Sequence, residues 1–491
     1  MTRGAEAATA RAGAHGAGTP PRQKVVLYNP HALFYTMPLA LLAIGSHLDR
    51  ERFEVVIVDA RLEADPHGAL AAALDHALCV GVTVLTGAPI RDALDASRMA
   101  KRLHPTLPIV WGGWHPSMFG RECLVDPAID VTVQGQGEET FADLVDRFAR
   151  GVSLDGCAGI TFRDGAGTTV ANPPRPVRPV DAFAPHDYSL IPVERYFALK
   201  GKRQLDYISS QGCNFRCAFC ADPFVYERQW VGLSPGRMVD ELASLWERHR
   251  FDDVNFQDET FFTRAGRVEA IAQGFVDARL PITWAGTMRA DQGVRLPEPS
   301  LALCRRSGLR RALIGVESGS DEMLRRIKKD TRIAQVFESA EKIHRHGISG
   351  NFPFIVGFPG ESDDSVQASL DAAKRLRGIS PDFQTPFFYF KPYPGTEITE
   401  AVVKDGFSTA QTLDEWAAFD FVGNVGGPWV SDEKFARIER FKYFQQVAWD
   451  RAPLWRRPLQ QIARWRCAGD RYSLPLEMWI DRALWPAPRL S

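Results

Sequence analysis

Residues 212–222 read Gly-Cys-Asn-Phe-Arg-Cys-Ala-Phe-Cys-Ala-Asp, so Cys213, Cys217 and Cys220 follow the spacing C-x3-C-x2-C. Thiolates gathered in one short loop suit an iron–sulfur cluster, which normally takes four protein ligands. Three cysteines would therefore leave one iron open to an exogenous ligand. Structural zinc is the alternative, but such sites want four ligands, and no second cysteine pair or obvious histidine partner follows nearby. The loop favours an iron–sulfur cluster.

The cysteine loop directly follows the first of six strand-like segments in residues 203–400. These segments alternate with helical patterns, which predicts parallel strands joined by helices. They read LDYISS, DDVNFQD, ITWAGTM, RALIGVE, GNFPFIVGF and DFQTPFFYF. Six such units indicate a parallel (β/α)6 partial TIM barrel, whose chemistry gathers at the carboxyl ends of its strands.

Residues 24–151 alternate in the same way, with the strand candidates KVVLYNP, FEVVIVDA, LCVGVTV, PIVWGG and DVTVQGQ. They predict an α/β, doubly wound (Rossmann-like) domain whose ligand lies at the carboxyl ends of the strands. Residues 152–202 combine a hairpin pattern around Asp164-Gly165 with a proline-rich run. We interpret them as an interdomain linker.

The overall composition of the 491 residues excludes several classes of protein. The chain has 59 basic and 60 acidic residues, so nothing points to nucleic acid. Residues 1–23 are rich in Ala and Gly and predict a disordered tail. No segment reaches the roughly 18 consecutive apolar residues of a spanning helix. Eight cysteines do not suggest a disulfide framework. We expect a cytoplasmic protein.

Residues 401–491 predict a helical extension of distinct character. From Phe441 onward they hold five of the twelve tryptophans, and Lys442 with eight arginines against four acidic residues. One interpretation is a basic, aromatic surface for a membrane interface or an apolar substrate; the other is a helical cap that docks its tryptophans on the barrel. Prolines interrupt any long amphipathic helix here, so we expect the cap.

The cysteine motif at the head of a barrel resembles the radical S-adenosylmethionine enzymes. In that family the open iron of a 4Fe-4S cluster chelates the methionine part of S-adenosylmethionine. The resemblance implies reductive cleavage to a 5'-deoxyadenosyl radical, which abstracts hydrogen from an unactivated carbon. It also implies an electron donor such as flavodoxin or ferredoxin.

Later strand ends resemble the family's binding segments for S-adenosylmethionine. NFQDETFFT would meet the methionyl amine, GTMRAD the methionyl carboxylate, ALIGVESGSDEMLRRIKK the ribose, and FIVGFPGES the adenine. The implied binding residues are Phe219, Asp258, Glu259, Arg289, Glu317, Ser318 and Gly357. Taken singly, the two adjacent carboxylates could be solvated turn residues, and Glu317 could be an ion-pair partner of Arg310 or Arg311.

The N-terminal strand ends resemble those of cobalamin-binding domains. Small residues there would let a large planar ligand approach the backbone. The implied cobalamin-binding residues are Gly81, Thr83, Thr86, Gly112, Gly113, Gly135, Gly137 and Glu138. Many such domains carry D-x-H-x-x-G, but this chain reads Asp59-Ala-Arg61-Leu-Glu-Ala64 and lacks the histidine. That absence suits methyl transfer, and it equally permits a domain that has lost cobalamin.

Together these resemblances imply a cobalamin-dependent radical enzyme that methylates an unactivated carbon of a hydrophobic or secondary-metabolite substrate. The same parts also serve oxidative cyclisation or rearrangement, as in the anaerobic porphyrin-ester cyclases. A non-catalytic cobalamin or metal sensor is an alternative of another class. A transfer-RNA methylthiotransferase is disfavoured, because no second cysteine triad precedes the first. The expected partners are a small molecule, an electron donor and, through the C-terminal segment, a membrane surface.

Overall fold

The computed structural model describes residues 22–32, 36–420, 422–451 and 453–484. Residues 1–21 of the expected disordered tail lie outside this description, and Gln23 already begins the first strand. The strands are β1 (Gln23–Asn29), β2 (Phe53–Asp59), β3 (Ala77–Thr83), β4 (Ile109–Gly112), β5 (Val131–Val133), β6 (Ile160–Arg163), β7 (Thr169–Ala171), β8 (Gln204–Tyr207), β9 (Ser210–Gly212), β10 (Trp230–Gly232), β11 (Asp253–Phe256), β12 (Thr283–Met288), β13 (Leu309–Ile314), β14 (Ser349–Asn351), β15 (Phe354–Val356) and β16 (Phe387–Tyr389).

The α-helices are α1 (Leu39–His47), α2 (Pro66–Ala73), α3 (Pro89–Leu103), α4 (Trp114–Met118), α5 (Gly120–Cys123), α6 (Glu138–Arg150), α7 (Val193–Lys200), α8 (Asp222–Val225), α9 (Pro235–His249), α10 (Ala265–Asp277), α11 (Ala290–Arg295), α12 (Glu298–Arg306), α13 (Asp321–Arg326), α14 (Ile333–Arg345), α15 (Asp363–Ile379), α16 (Glu397–Lys404), α17 (Leu413–Ala417), α18 (Asp432–Trp449), α19 (Arg457–Ala468) and α20 (Leu476–Leu484).

The N-terminal sheet has the order β2-β1-β3-β4-β5-β6-β7. Its first five strands are parallel. Val25, Val26 and Leu27 of β1 are fully buried, with neighbouring side chains in apolar clusters on opposite faces. A strand covered on both faces reads as a continuous apolar run, which explains the sequence pattern. The predicted doubly wound domain is confirmed.

The hairpin predicted around Asp164-Gly165 is present as β6 and β7. Oδ1 of Asp164 accepts hydrogen bonds from the amides of Ala166 and Thr168 at 2.9 and 2.8 Å, which shapes the turn. Because β6 pairs antiparallel with β5, the hairpin extends the N-terminal sheet instead of standing in a linker.

The barrel strands form a parallel sheet in the order β14-β13-β12-β11-β8, and β15 pairs in parallel with β16. The predicted fifth strand is divided into β14 and β15 at Pro353, which has no amide hydrogen for a ladder. The carbonyl of Pro353 instead accepts from the amides of Val316 and Glu317, each at 3.1 Å. These bonds tie the two sheets together into the expected partial barrel.

The cysteine loop is anchored at its base by the antiparallel pair β9 and β10. Gly212, the residue before Cys213, has φ +80°, and a Cβ there would lie 2.3 Å from the carbonyl oxygen of Gln229. Only glycine fits this close approach of two backbones. The motif therefore begins at a position that the fold fixes.

The C-terminal segment is helical, as predicted, and covers both domains. Trp416 in α17 is buried against Phe119 of the N-terminal domain, with ring centroids 5.1 Å apart. Helices α18 and α19 pack on the barrel through buried residues such as Phe441, Phe444 and Cys467. No described helix is long and apolar enough to cross a bilayer.

The expectation that this cap docks its tryptophans on the barrel is wrong for three of them. The exposed fractions of Trp455, Trp465 and Trp479 are 60%, 55% and 50%. Phenylalanine, alanine and cysteine supply the docking face, because they occupy the inner sides of the helices. These three tryptophans are left on the outside, whereas Trp449 packs against the barrel core and Trp485 lies outside the described residues.

Candidate active site

A cavity of about 340 Å³ lies at the carboxyl ends of β1, β3, β4 and β5. Seven residues expected to hold cobalamin line it: Gly81, Thr83, Gly112, Gly113, Gly135, Gly137 and Glu138. Thr86 does not; it lines a neighbouring cavity, and its hydroxyl is hydrogen bonded to Nδ1 of His115 at 3.2 Å. The parallel topology thus gathers most of the predicted strand ends at one edge.

The glycines of this cavity serve two purposes. A Cβ at Gly81 would lie 2.8 Å from Cδ2 of Leu27, so this glycine is required by packing inside the domain. Gly135 has φ +71°, and a Cβ there would meet nothing within 4 Å. The absent side chain leaves open space at the cavity, where a large planar ligand can approach the backbone. The residues present fit such a ligand.

Arg61 lines the same cavity at the position where many cobalamin-binding domains carry histidine. Its Nη2 is 2.7 Å from Oδ2 of Asp59, and this ion pair is almost fully buried. The Asp59 carboxylate also accepts a hydrogen bond from the hydroxyl of Tyr196. A guanidinium stays protonated in proteins and has no lone pair for a metal, so this position supplies no nitrogen ligand.

The three motif cysteines are half-buried in the loop between β9 and β10. The amide of Cys220 donates to the carbonyl of Cys217 at 3.2 Å, and the amide of Ala218 donates to the carbonyl of Ile327 at 2.9 Å. Burial raises the pKa of Cys213 to about 11 and holds the pKa of Cys220 well above its usual value. Neighbouring positive charge is needed to favour the thiolates.

Two cations supply that charge beside Cys217. Nη1 of Arg289 is 3.8 Å from Sγ of Cys217, and the guanidinium lies 3.8 Å above the ring centroid of Phe215. The carbonyl of Lys329 accepts from Nη2 of Arg289 at 2.7 Å, and Nζ of Lys329 is 2.7 Å from Oε1 of Glu317. No three His, Cys, Asp or Glu side chains in the described ranges form a preassembled metal site. Three thiols in one loop beside two cations nevertheless suit an iron–sulfur cluster as a donor set.

A second cavity, of about 450 Å³, lies between the domains. The cysteine loop, the barrel strand ends and two N-terminal loops line it, through Phe219, Cys220, Glu317, Ile355, Phe388, Phe390, Leu85, Thr86, Trp114 and Met118. Leu85 and Trp114 line both cavities. The cobalamin-type cavity and the cavity at the cysteine loop therefore share one wall.

Two of the residues expected to bind S-adenosylmethionine, Phe219 and Glu317, line this second cavity. Glu317 has φ +65° and pairs with Lys329, so neither Arg310 nor Arg311 is its partner. Its neighbour Ser318 is fully buried. Gly357, with φ +82°, donates its amide to Oε2 of Glu361 at 2.6 Å. Neither Ser318 nor Gly357 lines the cavity.

The adjacent carboxyl groups of Asp258 and Glu259 differ in their bonding. Asp258 accepts from the amide of Ser209 at 3.1 Å, from its hydroxyl at 2.7 Å, and from the hydroxyl of Ser210. Oε2 of Glu259 is buried and has no hydrogen-bond partner in the described part of the chain. Burial, followed by the nearby Asp222, holds the pKa of Glu259 well above its usual value. The Asp258 carboxyl is satisfied internally, whereas one oxygen of the Glu259 carboxyl is not.

Sequence reasoning missed the residues that join the two domains. Tyr226 lines the N-terminal cavity and meets Trp114 edge-to-face, with ring centroids 6.0 Å apart. Gln136 donates to Gln211 at 2.7 Å, and Gln211 donates to Glu138 at 2.9 Å. Tyr226, an aromatic residue shortly after the cysteine motif, was the one signal of this junction in the sequence. Single glutamines in loops form no recognisable pattern.

Fold and site define a two-domain enzyme that sets a cobalamin-type cavity against an iron–sulfur loop. The B12 binding domain model matches residues 26–145, and the Radical SAM superfamily model matches residues 207–373. The chain therefore carries both a radical S-adenosylmethionine domain and a B12 binding domain, as the sequence resemblance implied. Its cofactors are a 4Fe-4S cluster, S-adenosylmethionine and cobalamin.

Relatives span most of the chain. It is 29% identical to an uncharacterized methyltransferase of Pyrococcus horikoshii, over 78% of this chain and 82% of that protein. It is 26% identical to cytidylyl-2-hydroxyethylphosphonate methyltransferase of Streptomyces wedmorensis, over 88% and 91% of the two chains. The fold is similar to that of the radical S-adenosylmethionine methyltransferase TsrM from Kitasatospora setae, with a TM-score of 0.69, 18% identity, and 91% and 100% of the two chains covered.

Proposed function

We propose that this enzyme transfers a methyl group to an unactivated carbon of an apolar small molecule. The observation that carries the proposal is the wall shared by the two cavities, through Leu85 and Trp114. When bound, the cluster and S-adenosylmethionine supply a carbon radical, and cobalamin supplies a methyl carrier. A shared wall lets one substrate meet both chemistries without leaving the protein.

The cysteine loop and its cations would hold the cluster. Cys213, Cys217 and Cys220 act as thiolate ligands in this proposal, and Arg289 with Lys329 offsets their negative charge. The guanidinium of Arg289 is already bonded to Asp291 and to the carbonyl of Lys329. We therefore infer that Arg289 acts mainly by positioning Cys217, and only secondarily on the methionyl carboxylate.

Glu259 is the better candidate than Asp258 for the methionyl amine. Its buried oxygen without a partner would gain a cation, which lowers the cost of its ionisation. Asp258 would instead fix Ser209 and Ser210 at the start of the cysteine loop. Phe219 and Glu317 face the cavity and would contact the adenosine part, with Ser318 and Gly357 supporting them.

The N-terminal cavity would hold cobalamin through its open backbone. Gly112, Gly113, Gly135 and Gly137 present main chain without side chains at the strand ends. Glu138 and Thr83 add the polar groups of this proposal, while Thr86 faces the substrate side. We propose residues 203–400 as the barrel and residues 401–491 as the C-terminal extension, whereas the N-terminal sheet continues past residue 151 to the end of β7.

The lining of the second cavity supports an apolar substrate. Phe388, Phe390, Ile355 and Met118 are among the side chains that line it, as in other sites for hydrophobic ligands. Its lysine, Lys391, is 3.2 Å from Oδ2 of Asp420 and so is already neutralised. A neutral ring system or chain fits this lining better than a charged substrate.

We also propose a reducing cytoplasmic setting and a small electron-transfer protein as the source of electrons.

Anaerobic reconstitution with iron, sulfide and hydroxocobalamin tests the proposal. After reduction with S-adenosylmethionine and candidate apolar substrates, methyl transfer gives S-adenosylhomocysteine together with 5'-deoxyadenosine. Formation of 5'-deoxyadenosine without S-adenosylhomocysteine would favour cyclisation or rearrangement. Failure to bind iron and sulfide, or to form 5'-deoxyadenosine, would overturn the enzyme assignment in favour of a sensor.

A further inference from the structure

The C-terminal helices expose a group of apolar side chains that the active site does not use. We call it the C-terminal patch: Leu454, Trp455, Ile462, Trp465, Leu474, Leu476, Trp479 and Ile480, each between 37% and 72% exposed. Residues 454–480 thus hold eight of the seventeen exposed large apolar side chains in the described ranges. Such concentration marks an interaction surface, whereas scattered exposed residues do not.

Helices α19 and α20 carry five of the eight residues of the patch. Nη2 of Arg466 in α19 is 2.7 Å from Oε2 of Glu477 in α20, so this ion pair links the two helices. Ile462 lies one turn before Arg466, and Ile480 lies one turn after Glu477. Residues three or four apart share a helix face, so Ile462 lies on one face of α19 with Trp465, and Leu476 lies on one face of α20 with Ile480.

Charge around the patch is unbalanced. Its acidic residues are already paired, Asp470 with Lys374, Glu477 with Arg466, and Asp481 with Arg456. Arg457, Arg464 and Arg471 are exposed and form no ion pair with a carboxylate in the part of the chain that the structure describes.

We propose that the C-terminal patch docks the enzyme on the surface of an anionic lipid bilayer. Tryptophan favours the boundary between hydrocarbon and water, where its ring is apolar and its N–H is hydrated. Arginines near the surface are attracted to anionic headgroups. Short helices with aromatic and basic side chains lie in this interface without crossing it.

A second copy of the chain suits the C-terminal patch less well than a lipid surface does. A two-fold interface would place the same patch against itself, with unpaired arginines from both sides in contact. Like charges at an interface are unfavourable, and the acidic residues here are already engaged. A lipid surface supplies the negative charge that the protein lacks.

Vesicle flotation of the full chain tests the proposal. The protein is expected to float with vesicles of phosphatidylglycerol and phosphatidylcholine and to remain below with phosphatidylcholine alone. Added salt should reduce the bound fraction, because it screens the arginines. The variant Trp465→Ser/Trp479→Ser/Ile480→Ser should lower binding at least about tenfold, because it removes three apolar groups from the contact.

A matched control changes exposed apolar residues elsewhere: Leu103→Ser/Val125→Ser/Leu199→Ser, at 52%, 83% and 44% exposure. It should float like the unchanged protein. Neither variant touches a cavity residue, so 5'-deoxyadenosine formation should persist in both and reports on folding separately from the proposed function. Absence of flotation, or equal flotation of the patch variant, overturns the proposal. A dimer that the patch variant disperses, without vesicle binding, assigns the patch to a second copy instead.

Discussion

The two cavities that share a wall are built in opposite ways. The cobalamin-type cavity is lined by backbone, glycines and apolar side chains, and its two charged residues, Arg61 and Glu138, are bonded to the protein. Beside the cysteine loop, buried Arg289, Lys329 and Glu317 carry charge. A large ring ligand can be recognised by shape, whereas a cluster and a zwitterionic methionine part need charges held in place.

The largest effect is expected from a change in the cysteine loop, at the charged one of the two cavities. Cys217→Ala removes one proposed ligand of the cluster and should abolish 5'-deoxyadenosine formation while leaving cobalamin binding intact. Iron per chain and the nucleoside product are measured after anaerobic reconstitution. Cys304→Ala, at a buried cysteine far from the motif in sequence, is the control and should retain both. Radical formation by the Cys217 variant would refute the cluster assignment.

Breaking the buried ion pair should have the next largest effect. Lys329→Met leaves Glu317 buried without its partner, which should lower the free energy of unfolding by about 3 kcal/mol. Lys328→Met is the matched control, since its pair with Glu397 is exposed and should contribute less than about 1 kcal/mol. Anaerobic urea denaturation measures both. Equal, small losses would show that the charges beside the cysteine loop are not structurally important.

The proposed recognition of cobalamin by the shape of its cavity is tested at Gly135. Ala at this position adds a Cβ in the open space of the cavity and should weaken cobalamin binding about tenfold, near 1.4 kcal/mol. Gly156→Ala carries the same backbone strain, since φ is +74° against +71°, but does not line the cavity. Titration with hydroxocobalamin, followed by absorbance, should separate the two variants. Equal affinities would mean that Gly135 serves the turn alone.

The smallest expected effect concerns a group kept uncharged in the N-terminal domain. Burial lowers the pKa of His115 to about 4 from 6.5, so the unfolded chain takes up a proton first as the pH falls. His115 therefore contributes stability fully above about pH 6.5, and the contribution is lost toward pH 4. Near pH 5.5 the loss is about 1.4 kcal/mol of unfolding free energy.

His115→Gln should lose less stability than the unchanged protein between about pH 7.5 and about pH 5.5. His186, whose pKa burial also lowers to about 4, is present in both proteins, so only the difference between them reports on His115. Denaturant unfolding at the two pH values is the measurement. Identical losses would contradict the assignment of a neutral buried imidazole.

Local patterns made much of the fold predictable. The cysteine spacing, the order of strands and the glycines at strand ends are short-range features, and parallel topology then brings the strand ends together. Pro458 lies within the first turn of α19, where a missing amide hydrogen has no cost. The prolines therefore divide the C-terminal segment into short helices and do not prevent them.

Features that depend on distant contacts were not predictable. Asp258 is satisfied because Ser209 and Ser210 reach it from the segment at the start of β9, which no local pattern reveals. The loop after β3 turns Thr86 toward His115 and away from the cobalamin-type cavity. Which face of α19 docks was likewise decided by the barrel surface, so the exposure of Trp465 could not be read from helix periodicity.

The most direct test of the shared wall is pulsed electron paramagnetic resonance on the reconstituted protein. Reduced cluster and cob(II)alamin each carry an unpaired electron, so neighbouring centres perturb one another's signals. The account predicts a dipolar interaction between the two signals in each protein molecule. Two spectra that relax independently, in protein loaded with both cofactors, would contradict it.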